Sequence, residues 1–255
     1  MKAKPLIAWM GGKRRLVKHI LPTFPAHECY VEPFSGGAAL FFAKKPSPSE
    51  VINDINGDLI NLYRVAKYHA HALIDALNTE LVSREVFLQK LSTPPEVLTD
   101  IQRAARYYYI KKTQFGAKES SASYGYDTKR ESKFNVNTLN EHLLAAQQRL
   151  AHVNIERLDW QDCMRRYDRP HTLFYCDPPY YNTAGYGVPF ELEQYEALAK
   201  IASTAKGKVI ISINDTPEIR EVFKACRVKE LEITYTICVN KVDAPKSKEL
   251  LLFNF

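Results

Sequence analysis

The chain has 255 residues, 45% hydrophobic and 25% charged, with 35 basic and 29 acidic side chains and a formal net charge of +6. That is ordinary globular usage, which excludes collagen-like, coiled-coil and disordered classes, and the length suits one large domain or a core with an inserted module. The longest apolar stretches, such as residues 36–43 and 233–240, fall far short of the roughly 18 residues of a membrane span, so a soluble protein without a membrane partner is expected. The apolar block at residues 6–10 runs at once into Lys13, Arg14 and Arg15, unlike a signal peptide or an anchor. Five cysteines, odd in number and without a C-x-x-C pair, read as reduced thiols in a cytosol rather than as disulfides or a zinc ribbon.

In chain order, Trp9-Met10-Gly11-Gly12-Lys13 precedes a basic helix with apolar positions at Leu16, Ile20 and Leu21. It lacks the spacing and following Ser/Thr of a phosphate-binding P-loop, and Trp9 would serve equally well in a core. An apolar run at 28–31 reads as the first strand, followed by Glu32-Pro33-Phe34-Ser35-Gly36-Gly37 and a helix over 38–43. Glycines there let the backbone approach a ligand, and a helix N-terminus offers N–H groups to an anion. The second strand, 51–54, ends at Asp54, 18 residues past Gly36. That is close to the spacing at which an acid reaches ribose hydroxyls in dinucleotide folds. The full G-x-G-x-x-G is missing, and Asn56-Gly57 reads equally as an ordinary turn.

After a helix carrying Leu59, Leu62, Tyr63 and Ala66, the regular alternation breaks over 61–139. Helices are expected near 69–78, 83–91 and 96–112, then a segment without a strong apolar run. Residues 123–126 and 133–136 flank a polar stretch at 127–132, the pattern of a hairpin with a basic tip. We read 61–139 as an insertion between the second and third strands. Residues 101–135 hold eight basic side chains against three acids, together with Tyr107, Tyr108, Tyr109, Phe115, Tyr124, Tyr126 and Phe134. Basic residues interleaved with aromatics suit phosphates and bases. A solvated helix face beside core aromatics explains the pattern equally well.

Further strands are expected at 153–157, 171–176, 208–213, 230–237 and 249–255, with a helix carrying Tyr195, Leu198, Ala199 and Ala202. Strands alternating with helices predict an α/β fold with a parallel sheet covered on both faces. Asp177-Pro178-Pro179-Tyr180 follows the strand at 171–176, at the carboxyl end where such sheets bind ligands. Two prolines fix the backbone, leaving a carboxylate, the Pro178 carbonyl and the Tyr180 ring to grip a planar amino group. Two acceptors on its N–H bonds favour a pyramidal nitrogen with an available lone pair. His69 and His71, two apart on a helix, face different ways and form no ligand pair, so no metal is expected.

Taken together these segments resemble one family, the Dam-type, D12-class DNA adenine-N6 methyltransferases. The resemblance runs in the family's order through residues 7–13, 31–37, Asn53-Asp54-Ile55-Asn56, a recognition insert, Asp177-Pro178-Pro179-Tyr180, residues 211–216 and Glu249-Leu250-Leu251. It implies a Rossmann-like S-adenosylmethionine-dependent methyltransferase domain over 1–60 and 140–255, with a mainly helical DNA-recognition insert carrying a hairpin over 61–139. It implies Trp9, Lys13, Glu32, Phe34, Ser35, Gly37, Asp54 and Asp177 as contacts to S-adenosyl-L-methionine, and Asp177, Pro178 and Tyr180 as the grip on an adenine flipped from duplex DNA. Lys112, Lys118, Tyr126, Lys129, Arg130, Lys133 and Asn135 of the insert, with Lys246 and Lys248 of a late basic loop, are the expected DNA contacts. Two departures from the family pattern are the Gly36-Gly37 spacing and Asn137-Thr138-Leu139, which stands where Dam itself continues with Pro-Phe-Gly.

The same grip serves other planar amines, so methylation of cytosine N4, an RNA base or a glutamine amide stays open, as does a DNA-binding protein that kept the fold without catalysis. The insert favours DNA adenine, and intact Asp177-Pro178-Pro179-Tyr180 favours catalysis. Cytosine-C5 chemistry lacks its Pro-Cys nucleophile. GATC is the family's common target, although a basic insert equally suits relaxed specificity. A monomer in the cytoplasm of a bacterial or phage-infected cell, serving restriction-modification, a phage or housekeeping, is the default expectation.

Overall fold

A computed structural model describes residues 3–116, 122–126, 129, 131, 132, 134–183, 190–234 and 246–255. Seven strands are found among them: β1 (Cys29–Glu32), β2 (Ser49–Asn53), β3 (Asn154–Glu156), β4 (Thr172–Cys176), β5 (Lys208–Asn214), β6 (Arg227–Thr234) and β7 (Lys246–Phe253). They form one sheet in the order β3-β2-β1-β4-β5-β7-β6. All seven fall where the apolar runs predict, and the longest helical stretch of the described residues lies between the second and third.

The sheet is parallel from β3 through β5, but β7 runs antiparallel to both β5 and β6. This corrects the expectation of a parallel sheet throughout. Only residues 235–245 separate β6 from β7, while a parallel return needs a crossover of a dozen or more residues, usually a helix.

β1 and β4 are buried at every position, as strands covered on both faces must be. Alternate residues feed two apolar clusters. Tyr30, Leu173, Tyr175, Ile210 and Leu251 face one; Val31, Phe174, Cys176, Ile211, Leu250 and Leu252 face the other. Ten α-helices are described: α1 (Val17–Ile20), α2 (Ala39–Ala43), α3 (Gly57–Tyr68), α4 (Ala70–Asn78), α5 (Arg84–Ser92), α6 (Asp100–Thr113), α7 (Val136–Leu150), α8 (Trp160–Tyr167), α9 (Leu192–Thr204) and α10 (Pro217–Val222). Several of their starts follow capping residues. Asn56 accepts from the Asp58 and Leu59 amides, Ser83 from Glu85, and Thr99 with Gln102 closes a capping box.

α7, α8 and α10 were not among the expected helices. α7 carries Leu139, Leu143, Ala146 and Leu150 on one buried stripe, but its Asn-rich start reads as a loop until Asn135 is recognised as its cap. The expected insert edges at 60/61 and 139/140 fall inside α3 and α7. Tyr107, Tyr108, Tyr109 and Phe134 share the apolar cluster that covers one sheet face. Of the expected hairpin, Tyr124 pairs with Gln114, and Val136 opens α7 instead of continuing a strand. The tip residues Asp127, Thr128 and Arg130, with Lys133 beyond it, lie outside the described residues.

Candidate active site

Strand order reverses between β1 and β4, the switch point at whose carboxyl edge open α/β sheets bind ligands. Two adjoining cavities open there. Trp9, Phe34, Gly36 and Asp177 line both; Lys13, Glu32 and Ser35 belong to one, and Asp54, Asn56 and Trp160 to the other.

The loop after β1 is tied down on every side. Gly36 has φ +45°, and a Cβ there would stand 2.6 Å from the Trp9 indole nitrogen; one on Gly37 would stand 3.1 Å from the Trp9 Cβ. Glycines therefore let the Trp9 ring lie on the loop backbone. The Gly36 amide donates to Asp54 at 2.9 Å, the Asn56 amide to the other Asp54 oxygen at 2.9 Å, and the Tyr63 hydroxyl to the Gly36 carbonyl at 2.7 Å. Asp54 thus fastens the loops after β1 and β2 to each other at the mouth of the cavity.

Glu32 is buried, and its Oε1 accepts from the Tyr30 hydroxyl at 2.7 Å and from the Phe41 amide at 2.8 Å. Burial raises this carboxyl to about 7 against those hydrogen bonds, with the nearby Asp177 charge raising it further. Glu32 therefore satisfies a first-turn amide of α2, whose N-cap Ala38 is left-handed at φ 51° and gives no side-chain cap. Ser35 Oγ is buried on the cavity wall without a hydrogen-bond partner. Phe34 packs tilted against Trp160 and edge-to-face with Phe190, each centroid 5.7 Å away, forming an aromatic wall.

Asp177 follows β4 on the face of Tyr175. The Tyr195 hydroxyl donates to the Pro179 carbonyl at 2.7 Å, and the Asn214 carboxamide holds both the amide and the carbonyl of Tyr181. Among the described residues no donor reaches the Pro178 carbonyl. Behind the loop lies a polar cluster. The Lys13 ammonium, 3% exposed, stands 2.6 Å from Asp177 Oδ1, 3.1 Å from Glu249 Oε1 and 3.0 Å from the Tyr180 hydroxyl. The Tyr180 hydroxyl donates to Glu249 Oε2, and the Ser212 hydroxyl to Glu249 Oε1.

Burial works against the Lys13 charge, but the two carboxylates outweigh it and raise its pKa. Burial lifts Asp177 to about 6; Lys13 opposes this and Glu249 adds to it. At neutral pH Asp177 is an anion of raised basicity, 23% exposed at the cavity. Cys176 is buried in β4 and burial pushes its thiol well up, so no thiolate is available there.

Of the expected cofactor contacts, Trp9, Lys13, Glu32, Phe34, Ser35, Gly37, Asp54 and Asp177 all line these cavities. Pro178 lines one as well. Lys13 aims its ammonium at the carboxylates behind the wall. Glu249 and Ser212 complete the cluster, and neither stood out as a site residue in the sequence. Their signal was parity: both alternate onto the face of Tyr175 through the register Ser212↔Leu251 and Asn214↔Glu249.

The expected DNA contacts are dispersed. Tyr126 is 73% exposed beside the equally exposed Phe115, and Lys129 and Lys248 are exposed. The Arg84 guanidinium lies 5.0 Å from the Tyr124 ring and 5.6 Å from the Tyr126 ring. Lys112 sits over the buried Tyr108 ring, and Asn135 accepts the Asn137 amide as the cap of α7. Tyr107, Tyr108 and Tyr109 are core residues, which settles the alternative left open for that run of aromatics. Lys118, Arg130 and Lys133 lie outside the described residues, as does the side chain of Lys246.

Known proteins are similar to this chain in sequence over most of its length. The chain is 27% identical to a DNA adenine methylase of Haemophilus influenzae, over 98% of this chain and 93% of that protein. It is 28% identical to the type II methyltransferase M.CviBI of Paramecium bursaria Chlorella virus NC1A, over 91% of each. A DNA N-6-adenine-methyltransferase of Escherichia phage P1 is 26% identical over 86% of this chain and 31% of that longer protein. The family model described as D12 class N6 adenine-specific DNA methyltransferase matches residues 9–237. With the loop after β1, Asp54 and the Asp177-to-Tyr180 turn gathered at one sheet edge, the chain belongs to the D12 class of N6 adenine-specific DNA methyltransferases.

Proposed function

We propose that the chain transfers a methyl group from S-adenosylmethionine to the N6 of an adenine turned out of duplex DNA, with Asp177, Pro178 and Tyr180 holding the base. The observation that carries this reading is that Asp177 lines both cavities: one shared acid joins a nucleoside-sized aromatic cleft to the turn that would grip an amine. The residues fit such a cofactor. A buried Ser35 hydroxyl without a partner belongs to the wall of one cavity, the Asp54 carboxylate lines the adjoining one, where a ribose would lie, and Trp9 with Phe34, common to both, offers faces to an adenine ring. Bound there, the cofactor supplies an electrophilic methyl on a sulfonium.

The protein's part is orientation and charge. The Asp177 carboxylate and Pro178 carbonyl accept the two N–H bonds of the amine, turning its lone pair toward the methyl carbon. The cofactor would supply the methyl and keep the bonding pair on its sulfur, and the Asp177 carboxylate, an acceptor of raised basicity on one N–H bond, would take the proton that the amine gives up. The Tyr180 ring, fixed by its hydroxyl, stacks on the base. Duplex DNA must release the adenine first, because the amine cannot reach a methyl donor inside the stack. Lys129, Tyr126 and Lys248, with Lys118, Arg130, Lys133 and Lys246 of the segments outside the described residues, are the proposed phosphate and base contacts. The insert, residues 61–139, is the proposed reading element.

No helix of the described residues is long and apolar enough to cross a membrane, and the four described cysteines are free. Free thiols support a protein working in a reducing cytosol, and we take it as a monomer there. The test is thermal melting with and without S-adenosylmethionine: a millimolar excess is expected to raise the melting temperature by several degrees, and Trp9→Ala to remove most of that rise. No rise with the wild-type chain would contradict the cofactor assignment.

A further inference from the structure

Glu249 is fully buried at the edge of the site, where burying a carboxylate is costly unless it is paired and hydrogen-bonded. Its partners are not incidental. One oxygen accepts from Ser212 and lies 3.1 Å from Lys13; the other accepts from the Tyr180 hydroxyl. Two of these three side chains also hold the turn that faces the base: Lys13 bonds Asp177 at 2.6 Å, and Tyr180 belongs to the turn itself. The reversal of β7 is what brings Glu249 there, since its register sets Glu249 beside Asn214 at the carboxyl end of β5.

We infer that Glu249 is a positioning residue for methyl transfer: it offsets the Lys13 charge so that Asp177 remains a negative acceptor, and it anchors the Tyr180 hydroxyl so that the ring stays in its stacking pose. This rests on the reading that Asp177 and Tyr180 receive the base. Lys13 stands between two carboxylates, so the cluster carries one net negative charge, and the only partly exposed carboxylate is Asp177. With a neutral residue at 249, Lys13 and Asp177 become a neutral pair and the acceptor weakens. Lys13 and Glu249 dominate the surroundings of Asp177. Tyr175, Cys176 and Glu32 also feel its charge, and the Tyr180 hydroxyl shares the Lys13 ammonium.

The test compares wild type, Glu249→Gln, Glu249→Asp and Tyr180→Phe. Three quantities are read: single-turnover methylation across pH, S-adenosylmethionine affinity by calorimetry, and the Asp177 carboxyl titration by carbon NMR. For Glu249→Gln we expect turnover to fall about a hundredfold, the size of one lost preorganised contact. Cofactor affinity should stay within about twofold, and the Asp177 midpoint should move below its wild-type value of about 6. Glu249→Asp should regain part of the rate. Should Glu249→Gln not fold, Tyr180→Phe, which keeps the ring and cuts its link to Glu249, carries the test through a slower rate at unchanged cofactor affinity. Wild-type turnover with an unmoved Asp177 titration in Glu249→Gln would overturn the inference, as would equal losses of turnover and cofactor affinity. A wild type that makes no N6-methyladenine, but whose Asp177 titration still moves in Glu249→Gln, would refute the methylation reading and with it the role in transfer, leaving only the charge coupling of Glu249 to Asp177.

Discussion

Two side chains at the site carry opposite assignments of charge, and each yields a prediction. Asp177 is an anion above about pH 6 because burial and Glu249 together raise it against Lys13. Single-turnover methylation should therefore decline as pH falls through 6, and Asp177→Ala should lower it at least 10²-fold at any pH. Cys176 lies one position earlier with its thiol buried and protonated, so Cys176→Ser should retain transfer in a nucleoside assay. Loss of transfer in a folded Cys176→Ser protein, with Asp177→Ala active, would mean a covalent cysteine mechanism. Gly36 makes a steric claim. An added methyl meets the Trp9 ring at 2.6 Å from a left-handed backbone, so Gly36→Ala should cost on the order of 1–3 kcal/mol of stability and weaken the cofactor. Denaturant unfolding and calorimetry check both.

The elements show why some of this was legible in sequence and some was not. The central strands are short apolar runs bounded by turn residues, and Asp177-Pro178-Pro179-Tyr180 announces itself because prolines end a strand. Asp54 and the loop after β1 were readable as a spacing, and the structure joins them through the Gly36 amide. Glu249 was not readable in this way. Its place depends on β7 turning back between β5 and β6, a pairing that no local pattern states, although the short gap between those strands excludes a crossover. Glu32 was expected to touch the cofactor; its carboxylate is engaged by Tyr30 and by the first turn of α2. Its folded pKa near 7 exceeds the ordinary 4.5, so the folded state binds the proton more tightly and stability from this group is lost as pH rises from 4.5 through 7. Glu32→Gln keeps an acceptor without the charge. It should gain on the order of 3 kcal/mol over wild type at pH 8, a difference that vanishes below pH 4.5.

At the scale of the molecule, α3 to α7 share one apolar cluster with the sheet, and the α6 residue Lys111 reaches within 5.7 Å of the Trp9 ring. The excess of positive charge in residues 101–135 was visible in composition, but which aromatics reach solvent was not. Tyr107 to Tyr109 turn inward while Phe115 and Tyr126 stay exposed, a division set by helix rotation and packing. DNA affinity should fall steeply with salt. Lys129→Ala should reduce that salt slope by about one without altering cofactor affinity; equal losses of both would refute a separate reading element. The most direct test of the whole account is incubation with S-adenosylmethionine and unmethylated duplex DNA of mixed sequence, followed by nucleoside mass spectrometry. N6-methyladenine, absent with Asp177→Ala, is the predicted product; N4-methylcytosine in its place, or an unmodified duplex from a protein that binds the cofactor, would contradict it.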